Sequence, residues 1–119
     1  MSAPATISEH DLLSAAYREF NARDLDAVLA RLDPQVEWAN GMEGGHVHGR
    51  EAVRAYWTRQ WAILDPRVEP LAIAPDCDGR WIVRVHQVVR DLAGKVLVDT
   101  EVRHAYRIQN GLILRMDIF

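Results

Sequence analysis

The spacing of apolar residues changes from helical to alternating near Pro66, and this change limits the folds open to the chain. Before Pro66, apolar residues recur every three or four positions in three segments, which predicts amphipathic helices. After it they alternate with polar residues along 68–74, 80–90, 96–108 and 112–119, which predicts four strands. Helices followed by a run of antiparallel strands predict an α+β domain, with the helices on one face of a curved sheet.

The first two helices have clear start and stop signals. Ser8 and Asp11 are spaced as in a capping box, so the first helix begins there, and it ends at the polar break of residues 21–23. Asp24 caps a short second helix. Asp33-Pro34 ends this helix because proline disfavours helical geometry in the residue before it.

A third helix is predicted from Glu51 to Leu64, and Gln60 is a polar member of its otherwise apolar face. Between the second and third helices, residues 36–38 predict a brief strand. Residues 40–49 hold four glycines and therefore predict a loop.

Length and charge exclude several classes of function. The 119 residues are the usual size of one compact domain, which we expect to span 1–119. A net charge of −3 provides no basic surface for nucleic acid. No apolar stretch approaches the roughly twenty residues of a membrane span, and residues 1–10 lack the apolar run of a signal peptide. We therefore expect a cytoplasmic protein with no nucleic-acid or membrane partner.

Three segments carry a resemblance to a known family. Residues 17–26, 47–53 and 106–116, read together with the order of the elements, resemble the nuclear transport factor 2-like superfamily and, within it, the SnoaL-like branch. The resemblance implies a cone-shaped α+β barrel with an apolar pocket between three N-terminal helices and a concave, mostly antiparallel sheet. It also implies dimerisation through the other face of that sheet. Its members include isomerases, cyclases, dehydratases and non-catalytic binding domains, so it implies a fold more than a reaction.

Catalytic roles carry over from these relatives only where the residues match. The base position of ketosteroid isomerases falls on Asn40, whose amide cannot accept a proton. Their two oxyanion-hole positions fall on Ala16, next to Tyr17, and on His104. SnoaL-type polyketide cyclases use an Asp on the last strand and a His on the strand before it, and Asp117 and His104 have these types. The candidate catalytic residues are His104 as general base or acid, Asn40 as a hydrogen-bond donor that polarises a carbonyl group, and Asp117.

The register of the terminal hairpin decides whether His104 and Asp117 meet. A two-residue type I′ turn at Asn110-Gly111 places them opposite each other. A three-residue loop with a glycine bulge instead places His104 opposite Met116 and pairs Asp117 with Arg103. We favour the bulged register because it keeps the apolar residues on one face. It puts His104 in the cavity and makes Asp117 an interface or surface ion-pair partner.

His104 is the strongest single candidate for chemistry. An imidazole between Val102 and Tyr106 on one strand face would be partly desolvated, which lowers its pKa and keeps it neutral. A neutral ring serves as a base or as a hydrogen-bond donor to a ligand. The competing interpretation is a core histidine bonded to a neighbouring hydroxyl or backbone group, and the sequence favours neither.

Aromatic residues are abundant enough to line the implied pocket. The predicted ligand-binding residues are Tyr17, Trp38, Trp57, His86, Tyr106 and Met116. The sequence does not decide whether His86 faces the inside of the sheet. The residues that alternate with it along the strand are more apolar and are equally good candidates for the inner face. That alternate set is Val83, Val85, Gln87 and Val89.

No metal site and no organic cofactor are predicted. His46 and His48 flank a single residue, as two ligands on an extended segment do, but no third ligand follows at a recognisable spacing.

Two functions stay open. One is binding of a small apolar or aromatic molecule, with proton-transfer chemistry of the isomerase, cyclase or dehydratase type at His104. The other is a non-catalytic ligand-binding or dimerisation domain. A homodimer is expected from an apolar outer sheet face. That face is predicted to hold Val83, Val85, Val89, Ile113 and Phe119.

Overall fold

The computed structural model describes residues 7–119, so residues 1–6 of the predicted domain lie outside the described part. Its helices are α1 (Glu9–Asn21), α2 (Leu25–Leu29) and α3 (Arg50–Trp61). Its strands are β1 (Leu32–Ala39), β2 (His46–His48), β3 (Leu64–Pro75), β4 (Trp81–Asp91), β5 (Val96–Gln109) and β6 (Leu112–Ile118). The predicted α+β class, with three helices on a mostly antiparallel sheet, is confirmed.

The strands form one sheet in the order β2-β1-β6-β5-β4-β3. Neighbouring strands are antiparallel except β1 and β6, which run parallel. Helices α1 and α3 lie across the inner face of the sheet and bury a continuous core against it. This arrangement positions the space in which a ligand would lie.

The two N-terminal caps form as their sequences predict. The Ser8 hydroxyl accepts a hydrogen bond from the Asp11 backbone N–H at 3.1 Å. The Asp24 carboxylate accepts one from the Ala27 backbone N–H at 3.4 Å. Both bonds satisfy backbone donors that the first helical turn leaves without a partner.

Strands begin earlier than the sequence predicts at two Asp-Pro pairs. Strand β1 starts at Leu32 and takes in Asp33-Pro34, and its pairing with β6 shifts register between Leu32 and Glu37. Strand β3 starts at Leu64 and takes in Asp65-Pro66. Because β3 is an edge strand, a proline that lacks an N–H donor is tolerated there. The prediction of a structureless loop over 40–49 is also wrong at its end, since His46–His48 pair with β1.

The two faces of β4 are reversed relative to the prediction that led to the homodimer. The valine row was expected on the outer face of the sheet, and it lies on the inner face. Val83 and Val85 are 0% exposed and Val89 is 8% exposed, and all three pack inward beneath the helices. Ile113 on β6 is likewise 0% exposed. The placement of these residues on an apolar outer face is wrong, because the helices cover whichever alternation class is more apolar. The residues that alternate with the valines, including Arg84 and His86, lie on the outer face of the sheet.

The terminal hairpin combines features of both predicted registers. Asn110 and Gly111 have φ angles of 54° and 76°, the left-handed values that a type I′ turn requires. Next to the turn, Ile108 pairs with Ile113. One step further Arg107 pairs with Arg115, so Leu114 is an extra, unpaired residue that forms a bulge.

The bulge sets the partners of the candidate residues. Tyr106 pairs with Met116, and His104 pairs with Ile118. Asp117 lies opposite Ala105. Both predicted pairings of Asp117, with His104 and with Arg103, are therefore wrong. The prediction that His104, Tyr106 and Met116 share the inner face is correct.

Candidate functional site

A cavity of about 390 Å³ lies between the helices and the inner face of the sheet. Aliphatic side chains from α1, α2 and all the longer strands form much of its wall. Six aromatic side chains complete the wall: Tyr17, Phe20, Trp38, Tyr56, Trp57 and Tyr106. Of the described residues that line the cavity, none carries a carboxylate, an amine, a guanidinium or an imidazole. The cavity is therefore mostly apolar, with polar groups limited to neutral ones.

The aromatic walls are held by edge-to-face packing. Trp38 and Trp57 lie 5.1 Å apart between ring centroids at an interplanar angle of 89°. Phe20 packs against Trp57 at 5.3 Å and 75°. Such pairs stabilise the packing beyond the area that they bury. The rings therefore form a preorganised surface for a flat apolar molecule.

A chain of buried hydrogen bonds adjoins the cavity. The Tyr106 hydroxyl donates to the Tyr17 hydroxyl oxygen at 2.8 Å. That same Tyr17 oxygen lies 2.7 Å from Nδ1 of His104. His104 and Tyr106 point to the same side because they lie two residues apart on β5, and Tyr17 reaches them from the apolar stripe of α1. Tyr17 and Tyr106 line the cavity, whereas His104 does not, and its ring lies nearly parallel to that of Tyr17 with the centroids 5.9 Å apart.

Burial keeps all three groups of this chain uncharged at neutral pH. Desolvation lowers the pKa of His104 to about 4. Desolvation also raises the pKa of Tyr106 and, with a smaller contribution from Tyr106, the pKa of Tyr17. His104 is therefore a neutral imidazole with one N–H and one bare nitrogen.

The tautomer of His104 decides what Tyr17 offers to a ligand. If the proton is on Nδ1, the ring donates to the Tyr17 oxygen, and the Tyr17 O–H is free to donate to an acceptor in the cavity. If the proton is on Nε2, the Tyr17 O–H donates to Nδ1, and the Tyr17 oxygen keeps one lone pair for a ligand donor. In either case Tyr17 keeps hydrogen-bonding capacity for a cavity ligand, and the Tyr106 oxygen, which only donates within the chain, keeps its lone pairs for a ligand donor.

The comparisons with known proteins agree with this architecture. The family model described as a SnoaL-like domain matches residues 13–116, which is most of the chain. The chain belongs to the SnoaL-like domain family. The predicted family and its place among nuclear transport factor 2-like proteins are thus confirmed. Among curated proteins, none matches this SnoaL-like domain significantly.

Solved structures share the fold over nearly the whole chain. A nuclear transport factor 2-like protein of unknown function from Burkholderia pseudomallei is 26% identical, with a TM-score of 0.80, over 92% of this chain and 88% of its own. A putative polyketide cyclase from Pseudomonas putida is 22% identical, with a TM-score of 0.79, over 91% and 87%. TerC, co-crystallised with polyporic acid, is 24% identical, with a TM-score of 0.79, over 92% and 88%. The latter two, below 25% identity, show the fold alone.

Five of the predicted site residues of this SnoaL-like domain line the cavity. They are Tyr17, Trp38, Trp57, Tyr106 and Met116. His104 is on the inner face and 7% exposed, but it does not line the cavity, and its Nδ1 is engaged by the Tyr17 hydroxyl. The expectation that its ring faces a ligand directly is corrected accordingly.

Asn40 lies outside the cavity wall and stabilises the adjacent loop. Its Oδ1 accepts hydrogen bonds from the backbone N–H groups of Met42 and Glu43, at 3.0 and 2.9 Å. Its backbone N–H donates to the carbonyl of Gly45 at 2.9 Å. These bonds hold the loop at the cavity mouth and leave the amide oxygen of Asn40 occupied, so the geometry gives it a structural role rather than a catalytic one.

Asp117 and His86 lie on the outer face of the sheet. Arg115 donates to both oxygens of Asp117, at 2.8 and 3.0 Å, and this is the main reason that the pKa of Asp117 is lowered. Nε2 of His46 lies 2.8 Å from the same carboxylate. His86, 42% exposed at its side chain, contacts Asp99 at 2.7 Å. Neither residue reaches the cavity, so the catalytic assignment of Asp117 and the ligand-binding assignment of His86 are not supported by this geometry.

His46 and His48 are each engaged by a carboxylate on the same outer face. His46 contacts Asp117, and His48 contacts Glu37 at 2.5 Å. Within residues 7–119, no three His, Cys, Asp or Glu side chains are grouped as metal ligands. In the same part of the chain, no helix has both the length and the hydropathy needed to cross a bilayer.

Three cavity-wall residues with a hydroxyl or amide side chain were not among the predicted site residues: Tyr56, Gln60 and Gln87. The two glutamines carried a signal in the sequence. Gln60 interrupts the apolar face of α3, and Gln87 interrupts the valine row of β4. A polar residue inside an apolar periodic pattern indicates either a buried hydrogen bond or a group that faces a cavity.

The low pKa of His104 predicts how the stability of the domain varies with pH. The folded pKa is about 4, below the roughly 6.5 of an unfolded histidine, so the unfolded chain binds the extra proton between these values. The stability linked to the neutral ring is fully present above about pH 6.5. It is lost as the pH falls toward 4, by at most about 1.4 kcal/mol per pH unit.

Urea unfolding between pH 7 and 4.5 measures this dependence. His104→Gln should unfold with a weaker pH dependence than the wild type, and the exposed control variant Gln109→Leu, which removes no titratable group, should keep the wild-type slope. An unchanged slope in His104→Gln would show that the ring is not held neutral by burial.

Proposed function

We propose that this SnoaL-like domain binds a small, uncharged, mostly aromatic or apolar molecule and orients it by a hydrogen bond to Tyr17. The observation that carries the proposal is an aromatic-walled cavity of about 390 Å³ beside the chain of Tyr106, Tyr17 and His104. Ligand pockets in proteins combine such apolar walls with a few convergent polar groups. A cavity of roughly 150 Å³ holds benzene, so this one suits a molecule of about two or three rings.

The neutrality of the lining argues for a neutral ligand. A carboxylate or ammonium group transferred from water into this space would lose hydration that no opposite charge among the described lining residues replaces. A hydroxyl or carbonyl oxygen loses less and regains a hydrogen bond at Tyr17. TerC shares the fold and was co-crystallised with polyporic acid, which supports the binding of a small molecule by this architecture.

Tyr17→Phe tests the polar contact, with 4-hydroxybiphenyl and biphenyl as ligands. The phenol donates or accepts a hydrogen bond, so it suits either tautomer of His104. The variant should bind 4-hydroxybiphenyl about three- to tenfold more weakly, because one net hydrogen bond is worth about 0.5–1.5 kcal/mol. Biphenyl, which lacks the hydroxyl, serves as the matched control and should bind the wild type and the variant equally in calorimetric titrations. Equal affinity of the wild type and Tyr17→Phe for the phenol would contradict the proposal.

Proton-transfer chemistry of the isomerase, cyclase or dehydratase type is the second candidate, and the Tyr106–Tyr17–His104 chain is the observation in its favour. A base has to reach the carbon acid that it deprotonates. His104 does not line the cavity, its Nδ1 is engaged by Tyr17, and the described lining residues provide no carboxylate or imidazole for this role. We therefore propose binding without proton abstraction.

Deuterium exchange at the α-carbon of 2-tetralone in D₂O separates the two candidates. With the protein at stoichiometric concentration, the exchange followed by proton NMR should proceed at the rate in buffer. Exchange faster than in buffer, and slowed to the buffer rate by His104→Ala, would establish proton transfer and reject the binding-only function.

We also propose that the domain forms a homodimer through the end of the β4–β5 hairpin. Leu92, Val96 and Leu97 are exposed there by 65%, 47% and 49%. The outer face first expected to be apolar carries the Arg84–Glu101 ion pair instead. Contiguous exposed apolar side chains favour association, so we propose that a second copy of the chain covers them.

The cytoplasmic location and the lack of a cofactor stay predictions from the sequence.

Sedimentation at micromolar concentration tests this association. The wild type should sediment as a dimer, and Leu97→Glu should sediment as a monomer because a carboxylate would be buried in the contact. A monomeric wild type would reject the homodimer.

A further inference from the structure

Two glutamines supply the amide side chains of the cavity wall among the described residues. Gln60 comes from α3, where it follows Tyr56 and Trp57 on the same face, and Gln87 comes from the valine row of β4. They therefore belong to opposite walls, one helical and one in the sheet. Both are half-buried.

Neither amide is engaged elsewhere. Within residues 7–119, neither side chain takes part in a hydrogen bond. The fully enclosed polar atoms without a partner in this part of the chain are Arg50 Nε and Trp61 Nε1, so the amide atoms of the two glutamines are not enclosed. Their polar atoms are therefore accessible, and both residues line the cavity. Each amide offers two donors and an acceptor, so each suits a hydroxyl or a carbonyl group.

The two amides lie away from the Tyr17 end of the cavity. Gln87 pairs with Thr100, which precedes His104 on β5 by four residues, or about 13 Å along an extended strand. Gln60 lies four residues before Leu64, and Leu64 pairs with Asp91 beyond Gln87 on β4. The two amides thus lie at the end of the cavity away from Tyr17 and Tyr106, while the hydroxyl of Tyr56, a further polar group of the described wall, lies near Gly41.

We propose that Gln60 and Gln87 bind a second polar group of the ligand, so that the preferred ligand is an elongated, uncharged molecule with a hydroxyl or carbonyl group at each end. This inference rests on the proposed function and adds to it the class of ligand. A ligand with one polar end leaves the two amides without a partner when it displaces water from them, which lowers its affinity. A ligand with two polar ends satisfies both ends of the cavity. Gln60 and Gln87 are then residues that determine specificity.

Three rigid ligands that differ only in their hydroxyl groups test the proposal. They are biphenyl, 4-hydroxybiphenyl and 4,4′-dihydroxybiphenyl, titrated by calorimetry into the wild type, Gln60→Leu, Gln87→Leu and the control Gln109→Leu. Gln109 is an exposed glutamine on β5 that does not line the cavity. The wild type and the control should bind 4,4′-dihydroxybiphenyl about three- to tenfold more tightly than 4-hydroxybiphenyl.

The advantage of the second hydroxyl should disappear in Gln87→Leu or Gln60→Leu, while both variants keep the wild-type affinity for 4-hydroxybiphenyl or bind it more tightly. Two results would overturn the inference: no advantage of the second hydroxyl in the wild type, or an advantage that survives in both variants. Either result leaves the proposed function intact as long as 4-hydroxybiphenyl binds in a Tyr17-dependent way. Failure of all three ligands to bind the wild type would reject the proposed function and this inference with it.

Discussion

The buried hydrogen bonds among Tyr106, Tyr17 and His104 join α1 to the inner face of β5 and constrain the structure around the cavity. A polar group in an apolar interior is costly unless it is paired, so these three side chains have to be placed together. Their pairing sets the position of α1 over the sheet. Burial keeps the one imidazole of the described interior neutral, and Tyr17 and Tyr106 are the members of the chain that line the cavity.

The shape of the inner face depends equally on the bulge at Leu114. It moves β6 by one residue relative to β5, so that Met116 comes opposite Tyr106 while Asp117 turns outward to Arg115 and His46. A two-residue hairpin without the bulge would have placed Asp117 opposite His104 and brought a carboxylate into contact with the imidazole. One extra residue therefore separates this site from the paired Asp and His that the cyclase resemblance implies.

Much of the fold could be predicted from periodicity, because helical stripes and strand alternation follow directly from which residues are buried. The helix caps at Ser8 and Asp24 and the inward facing of Tyr106 and Met116 are examples. The faces of β4 could not be assigned from the sequence, since His86 and the valine row are each consistent with an inner face until the helices are placed. The bulge at Leu114 has no local signal, because Ile113, Leu114 and Met116 suit either register.

The site was harder to predict than the fold because residue type does not determine which polar groups remain free. Asn40 and Asp117 have types suited to catalysis, but their hydrogen bonds are used within the loop and on the outer face. Gln60 and Gln87 were not predicted as site residues, although each interrupts an apolar pattern and each lines the cavity.

The central claim, that a neutral ligand lies in this cavity with its polar atom at Tyr17, is tested most directly by a crystal structure of the complex with 4-hydroxybiphenyl. The phenolic oxygen should lie about 2.7–3.0 Å from the Tyr17 hydroxyl, with the rings between Trp38 and Trp57. A ligand found outside the cavity, or one whose hydroxyl avoids Tyr17 and bonds elsewhere in the wall, would contradict the claim.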